Sequence, residues 1–494
     1  MDPDPDTTDC PRIEPRPQSR QIFAMLVIGG ATALALGLTL HMKAMVGAND
    51  ISRWCTVWSL LERGTYAIDD CPWQKDTMDK VRKPETSSFR RAQPGSQGRA
   101  GGVEHFYSSK PPLLPTLIAG ILYPFRAASG VPLDAFVPEE MVERYVFKEG
   151  SETPVLEKPK EPYRWAAAVF YFKPIVVLTN IVPLLVMLIL FARLLDRYAV
   201  GDWAWSVSLF AAAWGTYLLS FDQTLNNHSV AAWSAFFALY ALLNIYDTRG
   251  GAWSFAAAGF FGAFAACNEI PAALFGVLLF GMLLVRDPRR TLLYFVPAAI
   301  LPCAAFLATQ YLAMGTFRLA YEDFGTKIYE FEGSYWNVPR EFDRFNKHPE
   351  PYGVYLFHMT LGHHGVFSLT PIFLFSLYGI ARAVRGRARG LAAVAWLTAG
   401  LTVAMFAFYT WNPKARNYGG STQGLRWLFW LIPFWLVVLP AGLEPGRSRP
   451  WFRKLSLAAV LVSILSVGYA LRNPWGHPWL LDALEHAGLY HLVR

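Results

Sequence analysis

The sequence predicts an all-α polytopic membrane protein with about eleven spanning helices. Of its 494 residues, 53% are hydrophobic and only 17% are charged, whereas a soluble domain carries about a quarter charged residues. Uncharged runs of roughly 16 to 24 residues recur, and each could cross a hydrocarbon core of ~30 Å as a helix. The predicted spans are 22–40, 174–192, 203–221, 229–246, 252–267, 270–285, 291–314, 365–380, 391–411, 427–443 and 455–471.

The loops between these runs differ in their content of Lys and Arg, which predicts the orientation of the chain. Cytoplasmic loops of membrane proteins hold the positive excess. The loops 222–228 and 268–269 contain no Lys or Arg, whereas every loop on the other side is basic. This alternation requires that the short apolar segment 112–124 lies flat on the outer leaflet instead of crossing. The net charge of +8 therefore indicates orientation and not nucleic-acid binding.

With this orientation, residues 1–21 form a cytoplasmic tail, and 22–471 form the transmembrane domain. Its outer loops are 43–173 and 315–364, and 472–494 form an outer tail. Run 22–40 is long for a signal peptide and lacks a small-residue cleavage site, so a retained span is expected. Segment 82–102 is rich in Ser, Gly, Pro and Arg, which predicts disorder. Cys55 and Cys71 share the first outer loop, and free thiols are favoured over a disulfide.

Three elements on the outer side could carry chemistry. Asp50 lies at the start of a helix predicted to run through Glu62 and to end near Gly64. It either accepts backbone N–H bonds as a helix cap or serves as a general base. Lys110 lies just before segment 112–124, and Arg426 lies at the outer end of a span. Each either extends to lipid headgroups or binds a phosphate.

Weaker candidates for substrate binding lie in the same outer parts, each with an ordinary structural alternative such as an interfacial anchor or a polar hairpin tip. They are Tyr107, Lys173, His228, Glu269, Tyr335 and Trp336. No cofactor is expected, although His358, His363 and His364 are close enough in sequence to leave a zinc ion open.

The order of these elements resembles the GT-C superfamily of integral-membrane glycosyltransferases, in particular the branch of bacterial lipid A aminoarabinose transferases and, more distantly, protein O-mannosyltransferases. That branch opens its first outer loop with Asp-Glu-x-Arg-Tyr, matched here by Asp-Ile-Ser-Arg-Trp at 50–54, and continues to a Gly matched by Gly64. Its Lys-Pro-Pro-Leu turn is matched at 110–113, and its Arg-Tyr before a proline-containing span is matched at 426–427. Ile51 replaces the Glu of the family, which leaves acceptor class and metal use open.

The resemblance implies a polyprenyl-phosphate sugar as donor and an inverting transfer to an acceptor hydroxyl of a glycan, lipid or protein on the non-cytoplasmic face. Asp50 would accept the proton, Lys110 and Arg426 would bind the phosphate, and Arg53 would assist. The implied location is the bacterial cytoplasmic membrane. Two alternatives stay open: a transporter or flippase for a lipid or small anion, and a non-catalytic scaffold with this fold.

Overall fold

A computed structural model describes residues 17–84, 104–135, 166–199, 201–323, 326–332, 334, 350–386, 388–412 and 416–490, together with the backbone of 144–146 and 155–157. Most of this chain is helical, and the expectation of an all-α polytopic membrane protein is confirmed. Tyr335 and Trp336, two of the predicted substrate contacts, lie outside the described residues.

The first half of the chain contains both small sheets. Its elements are α1 (Gln18–His41), α2 (Ala48–Glu62), β1 (Lys80–Pro84), β2 (Glu104–Ser108), α3 (Leu113–Ser129), β3 (Arg144–Val146), β4 (Val155–Glu157), α4 (Ala166–Val176), α5 (Val182–Tyr198), α6 (Asp202–Trp214), α7 (Tyr217–Phe221) and α8 (Asn227–Tyr246). Both sheets are antiparallel pairs, β1 with β2 and β3 with β4. A π-helical turn, Val177–Ile181, joins α4 to α5 without interruption.

The second half continues the helical bundle. Its elements are α9 (Ala252–Asn268), α10 (Ala273–Arg286), α11 (Pro288–Arg290), α12 (Val296–Met314), α13 (Tyr352–Thr360), α14 (Val366–Leu369), α15 (Ile372–Arg385), α16 (Arg389–Trp411), α17 (Ile432–Leu443), α18 (Pro450–Arg472) and α19 (Trp479–His486). A 3-10 turn, Arg426–Leu431, leads directly into α17.

Eight helical segments in the described chain are long and apolar enough to cross a membrane, compared with about eleven predicted spans. The other three predicted spans are also helical, but α9 has 17 residues, and α10 and α15 have 14 each. At a rise of about 1.5 Å per residue, a helix of this length is shorter than a hydrocarbon core of ~30 Å. Their crossing of the membrane stays a prediction.

Helices α15 and α17 pack closely because glycines at their crossing allow the two backbones to approach each other. A Cβ atom on Gly379 of α15 would lie 2.1 Å from the carbonyl oxygen of Val438 in α17, and one on Gly442 would lie 1.9 Å from the carbonyl oxygen of Phe375. Small residues at such crossings are typical of membrane helices. The contact fixes α17 and, with it, the preceding turn that carries Arg426.

The segment predicted to form the first outer loop packs on the bundle through α2, α3 and the β1–β2 hairpin. Residues 82–84 of the segment predicted to be disordered belong to β1 and pair with 104–106, so that prediction is wrong for them; 85–102 lie outside the described residues. Helix α3 continues beyond the predicted 112–124, because Arg126 in its last turn pairs with Glu62 of α2 at 2.7 Å. Cys55 and Cys71 are both buried free thiols, as favoured.

The basic loops meet at the other end of the bundle. Arg20 pairs with Asp202 at 2.6 Å, Arg197 lies 3.6 Å from Asp247, and the backbone N–H of Gly201 donates to Glu444 at 2.8 Å. These four of the segments grouped by their Lys and Arg content are therefore neighbours in space, as the predicted alternation requires.

Candidate active site

Helix α2 begins at a tight cap that orients Asp50. Gly47 is the N-cap residue, and Asp50, three residues later, accepts a hydrogen bond from the Gly47 backbone N–H at 3.1 Å through Oδ2. An acidic side chain at this position satisfies an otherwise unpaired N–H and interacts favourably with the positive end of the helix. The predicted helix, its end near Gly64 and the place of Asp50 in its first turn are confirmed.

Asp50 is completely buried, although it is a carboxylate. Burial raises the pKa of Asp50 to about 7, against the opposing effects of the Gly47 N–H, the charge of Arg53 and the indole of Trp475. A carboxyl group that releases its proton near neutral pH is suited to act as a general base. Only Oδ2 is used by the cap, which leaves Oδ1 for another partner.

Arg53 lies one helical turn after Asp50 and joins α2 to the neighbouring hairpin. Its guanidinium donates to the side chains of Asn227 and Asn49 and to the carbonyl oxygen of Leu225, which lies at 3.5 Å. Arg53 is 2% exposed, so these acceptors replace its hydration. The arrangement makes Arg53 a bridge that holds Asp50 and the 225–227 turn together.

The two polar hairpin tips of the predicted outer face meet at this bridge. Asn227 donates through Nδ2 to Glu269 and to the carbonyl oxygen of Asn268, each at 2.7 Å. His228 is in close contact with the same Glu269 carboxylate. A continuous polar chain therefore runs from Arg53 through Asn227 to Glu269 and His228.

Lys110 lies in the turn between β2 and α3, and its side chain approaches α2 through Asp79. Its ammonium lies 3.1 Å from Oδ1 of Asp79, and Ser52 of α2 donates to the Asp79 carbonyl oxygen at 2.5 Å. The Lys110 backbone N–H donates to Ser108 at 3.1 Å, which fixes the turn. Burial lowers the pKa of Lys110, and the Asp79 charge opposes this effect. Gln310 and Tyr321 border a narrow crevice beside Lys110.

Arg426 lies among these charged groups. Its guanidinium carbon lies 4.9 Å from the ring centroid of Trp475, a cation–π geometry. It interacts electrostatically with Asp79, Glu269, Arg53 and Asp50. In the part of the chain that the structure describes, its side chain makes no hydrogen bond or ion pair, and its Nε is buried. A half-buried guanidinium with free donors is suited to bind an anion.

Trp475 separates the Asp50 cap from Arg426. A Cβ atom on Gly47 would lie 2.8 Å from the Trp475 indole, so the glycine at the cap makes room for this ring. Phe221 packs on Trp475 edge-on, with centroids 5.3 Å apart. The predicted tail 472–494 therefore contributes to the site, and α19 packs back on α18 through a hydrogen bond of 2.8 Å from Trp479 to Ser466.

Two of the residues predicted to bind substrate, Tyr107 and Lys173, contact parts of the protein outside this polar site. Tyr107 packs in an apolar cluster with Tyr66 and Val81, and the Lys83 ammonium lies 4.7 Å from the centroid of its ring. Lys173 donates to the carbonyl oxygen of Leu40 at the end of α1, a favourable place for a cation. The anchoring role, the alternative stated for Lys173, accounts for this contact.

Asp79 and Trp475 are the site residues that the sequence did not indicate. Neither lies in a segment with a helical or sheet pattern, and each reaches the site by a contact with a distant part of the chain. A Pro-Trp-Gly sequence at 474–476 is the one local indication of a fixed turn in the tail.

Comparison with known proteins gives a distant structural match. The chain is similar to the archaeal oligosaccharyltransferase AglB from Archaeoglobus fulgidus, in a structure with an inhibitory peptide and a dolichol-phosphate, at 12% identity and a TM-score of 0.43. The match covers 97% of this chain and 61% of AglB, so the chain spans less than two thirds of that protein's length. No protein-family model matches the chain, and no curated protein matches it.

Proposed function

We propose that this protein is a membrane glycosyltransferase that moves a sugar from a polyprenyl-phosphate donor to an acceptor hydroxyl on the non-cytoplasmic face. The observation that carries the proposal is the pairing of a buried carboxyl group, Asp50, with a guanidinium that has free donors and a buried Nε, Arg426, across the single ring of Trp475. Group transfer from a phosphate needs both a proton acceptor and a cation for the leaving group.

Asp50 is the proposed general base. Its pKa of about 7 makes it a stronger proton acceptor than an ordinary carboxylate, while a large fraction stays ionised at neutral pH. Its position at the helix cap holds the carboxylate in one orientation, so that Oδ1 faces the acceptor while Oδ2 stays on the Gly47 N–H. Arg53 serves as a positioning residue, because its contacts hold α2 against the 225–227 turn.

Arg426 and Lys110 are the proposed phosphate ligands. The free guanidinium donors of Arg426 can bind phosphate oxygens in the bidentate manner typical of arginine. Lys110 acts as a point charge and would exchange its present partner, Asp79, for the phosphate. Their positive charge stabilises the phosphate more strongly as negative charge develops on it in the transition state.

In the proposed step, the acceptor oxygen attacks the anomeric carbon of the sugar from the side opposite the phosphate. The new carbon–oxygen bond forms as the bond from the anomeric carbon to the phosphate oxygen breaks. The acceptor proton passes to Asp50, and the bonding electrons leave with polyprenyl phosphate at Arg426 and Lys110. The product is a glycoside of inverted configuration. Asp50 is completely buried, so an acceptor reaches it only when a neighbouring group such as Trp475 moves.

A transfer assay with the full-length protein in liposomes tests the proposal. Polyprenyl-phosphate sugars are supplied as donors, and both glycosylated product and released polyprenyl phosphate are measured by mass spectrometry. We expect release by the parent protein and by Asp202→Asn, whose carboxylate is 84% exposed at the other end of the bundle. We expect release by Asp50→Asn to be lower by about 10²–10⁴. Equal release by Asp50→Asn would remove Asp50 from the mechanism.

One observation favours the non-catalytic scaffold as a second candidate. Asp50 already has a structural role as the side chain that closes the α2 cap, and it is fully buried. A scaffold would bind the lipid phosphate through Arg426 without turnover. Binding of a polyprenyl-phosphate sugar without release of polyprenyl phosphate, across the donors supplied, is the result expected for a scaffold.

A further inference from the structure

A second group of titratable side chains lies at the same end of the bundle, outside the contacts of Asp50 and Arg426. Glu350 precedes α13, His358 lies in its last turn, and His363 follows in the loop before α14. One carboxylate oxygen of Glu350 and one ring nitrogen of each histidine lie within 4.8 Å of one another. Two imidazoles and a carboxylate form a ligand set that zinc uses in proteins.

The buried histidine in this group has an unused nitrogen. His363 is 0% exposed, and its Nδ1 lies 2.5 Å from Nδ1 of His364, which occupies that nitrogen. Its Nε2 is buried and has no hydrogen-bond partner in the described part of the chain. An unpartnered polar atom in a closed site is unfavourable, because it has lost its hydration without a replacement. A metal ion bound at this nitrogen would supply the missing partner.

The local packing keeps the histidines together. The rings of His358 and His363 stack with centroids 4.0 Å apart. Gly362 makes this possible, because a Cβ atom there would lie 2.3 Å from Nδ1 of His358. Ligand atoms around a tetrahedral zinc are roughly 3.4 Å apart for bonds of about 2.0–2.1 Å. A closure of up to about 1.4 Å between these side chains therefore forms the site. Glu350 and His358 are only half-buried, so they can move.

Two tyrosines orient the carboxylate of Glu350. Tyr418 donates its hydroxyl proton to Oε2 of Glu350, and Tyr490 donates to Oε1 at 2.6 Å. Carboxylates that bind a metal are commonly held in this way. Each oxygen keeps a second lone pair for the metal. Tyr418 belongs to the loop that leads to Arg426, and Tyr490 belongs to the C-terminal segment after α19.

We infer that Glu350, His358 and His363 bind one zinc-class divalent transition-metal ion, with water as the fourth ligand. The ion has a structural role: it fixes α13, the loop before Arg426 and the C-terminal segment to one another. The site is distinct from the proposed reaction, because its ligands make no contact with Asp50 or Arg426 among the described residues.

Metal content and thermal stability of the full-length protein in detergent test this inference. The purified protein is stripped with a chelator, incubated with zinc and freed of excess ion, and zinc is measured by mass spectrometry. We expect about one zinc per chain and a higher melting temperature. Cobalt in place of zinc should give the strong visible absorption of a four-coordinate ion.

The variants Glu350→Gln and His358→Gln should each bind zinc at least about ten-fold more weakly. Both side chains are half-buried, so these variants are expected to fold, which is checked by the unchanged melting temperature of the zinc-free protein. His486→Ala, on the exposed face of α19, is the matched control and should bind zinc like the parent. A parent protein without zinc, or variants with the parent's affinity, would overturn the site. Binding without any rise in melting temperature would overturn its structural role.

Discussion

Two arginines at opposite ends of the bundle each stack on a tryptophan. They differ in the hydrogen-bond acceptors that surround the guanidinium group. Arg426 lies 4.9 Å from the centroid of Trp475, and Arg453 lies 5.2 Å from that of Trp203. Arg453 is exposed and donates to the carbonyl oxygens of Gly446 and Arg447, which end the preceding helical turn. Arg426 has no such acceptor among the described residues.

This contrast distinguishes the arginine proposed to bind phosphate from an arginine whose donors already have backbone acceptors. An exposed arginine at a helix end is stabilised by water and by the last carbonyl oxygens of the helix. A partly buried arginine without an acceptor loses solvation and gains nothing in return unless a ligand supplies the charge. The distance from the guanidinium to the ring is similar at both ends, so the missing acceptor is the difference on which the proposed phosphate site rests.

The largest effect is expected for Asp50, where two substitutions separate the base from the helix cap. Asp50→Asn retains an oxygen that accepts the Gly47 N–H but cannot take the acceptor proton, so transfer should fall by about 10²–10⁴ with an unchanged melting temperature. Asp50→Ala removes the cap as well and should also lower stability by about 0.5–2 kcal/mol. Initial rates and thermal unfolding of both variants give the comparison. Equal rates for the Asp50→Asn variant and the parent protein would leave Asp50 with a structural role alone.

The next largest effect is expected for Arg426, and the two stacked arginines provide the control. Arg426→Gln should reduce transfer roughly 10²-fold, because charge-assisted contacts to a developing phosphate are lost. Arg453→Gln should leave the rate within about two-fold, since that side chain faces carbonyl oxygens away from the site. Both rates are measured with the same donor at saturation. A similar loss of rate in both variants would show that Arg426 supports transfer through the stability of the fold and not through phosphate binding.

Lys110 should have a smaller effect because Asp79 already neutralises it. Lys110→Met should reduce the rate roughly ten-fold, and Asp79→Asn should raise donor affinity by freeing the ammonium. The double variant measures the coupling of the pair, expected at about 0.5–3 kcal/mol. If Asp79→Asn weakens donor binding instead, Asp79 itself takes part in the site.

Trp475 should have the smallest effect on chemistry, because it acts by holding Arg426. Trp475→Ala should lower the rate about two- to five-fold, in line with a cation–π contribution of about 0.5–1 kcal/mol. Trp203→Ala at the other end removes a similar ring contact and should affect only thermal stability. The two variants are compared by rate and by melting temperature. A Trp475→Ala protein faster than the parent would indicate that the ring blocks acceptor access more than it holds Arg426.

The sequence predicts the parts of this site that depend on local pattern. Asp50 follows a span and opens an amphipathic helix, and Lys110 precedes two prolines that lead into α3, so both can be placed from the residues around them. The hairpin tips at His228 and Glu269 can be placed because spans of similar length end at similar depth.

The parts that the sequence does not indicate depend on contacts between distant segments. Asp79 meets Lys110 through the β1–β2 hairpin, and Trp475 meets Gly47 across almost the whole chain. Helix α3 extends past Arg126, the charge that marks its end in the sequence, because Glu62 on α2 pairs with this residue.

The predicted span 365–380 shows a second reason why a local sequence pattern does not determine the structure. Its apolar residues form two helices, because α14 ends at Leu369 and α15 begins after Pro371. A proline fixes its own backbone and disfavours helical geometry in the residue before it. An apolar run therefore predicts burial in the bundle or membrane better than it predicts one continuous helix.

The pH dependence of transfer tests the role of Asp50 most directly. The base must be ionised, and burial raises the pKa of Asp50 to about 7, so kcat/KM should rise with pH below about 7 and level off above it. The donor is a phosphodiester without a proton to lose in this range, and His228→Gln should keep the same inflection if the titrating group is Asp50. A rate that is independent of pH between about 5 and 9, or an inflection that disappears with His228, would contradict the assignment of Asp50 as the base.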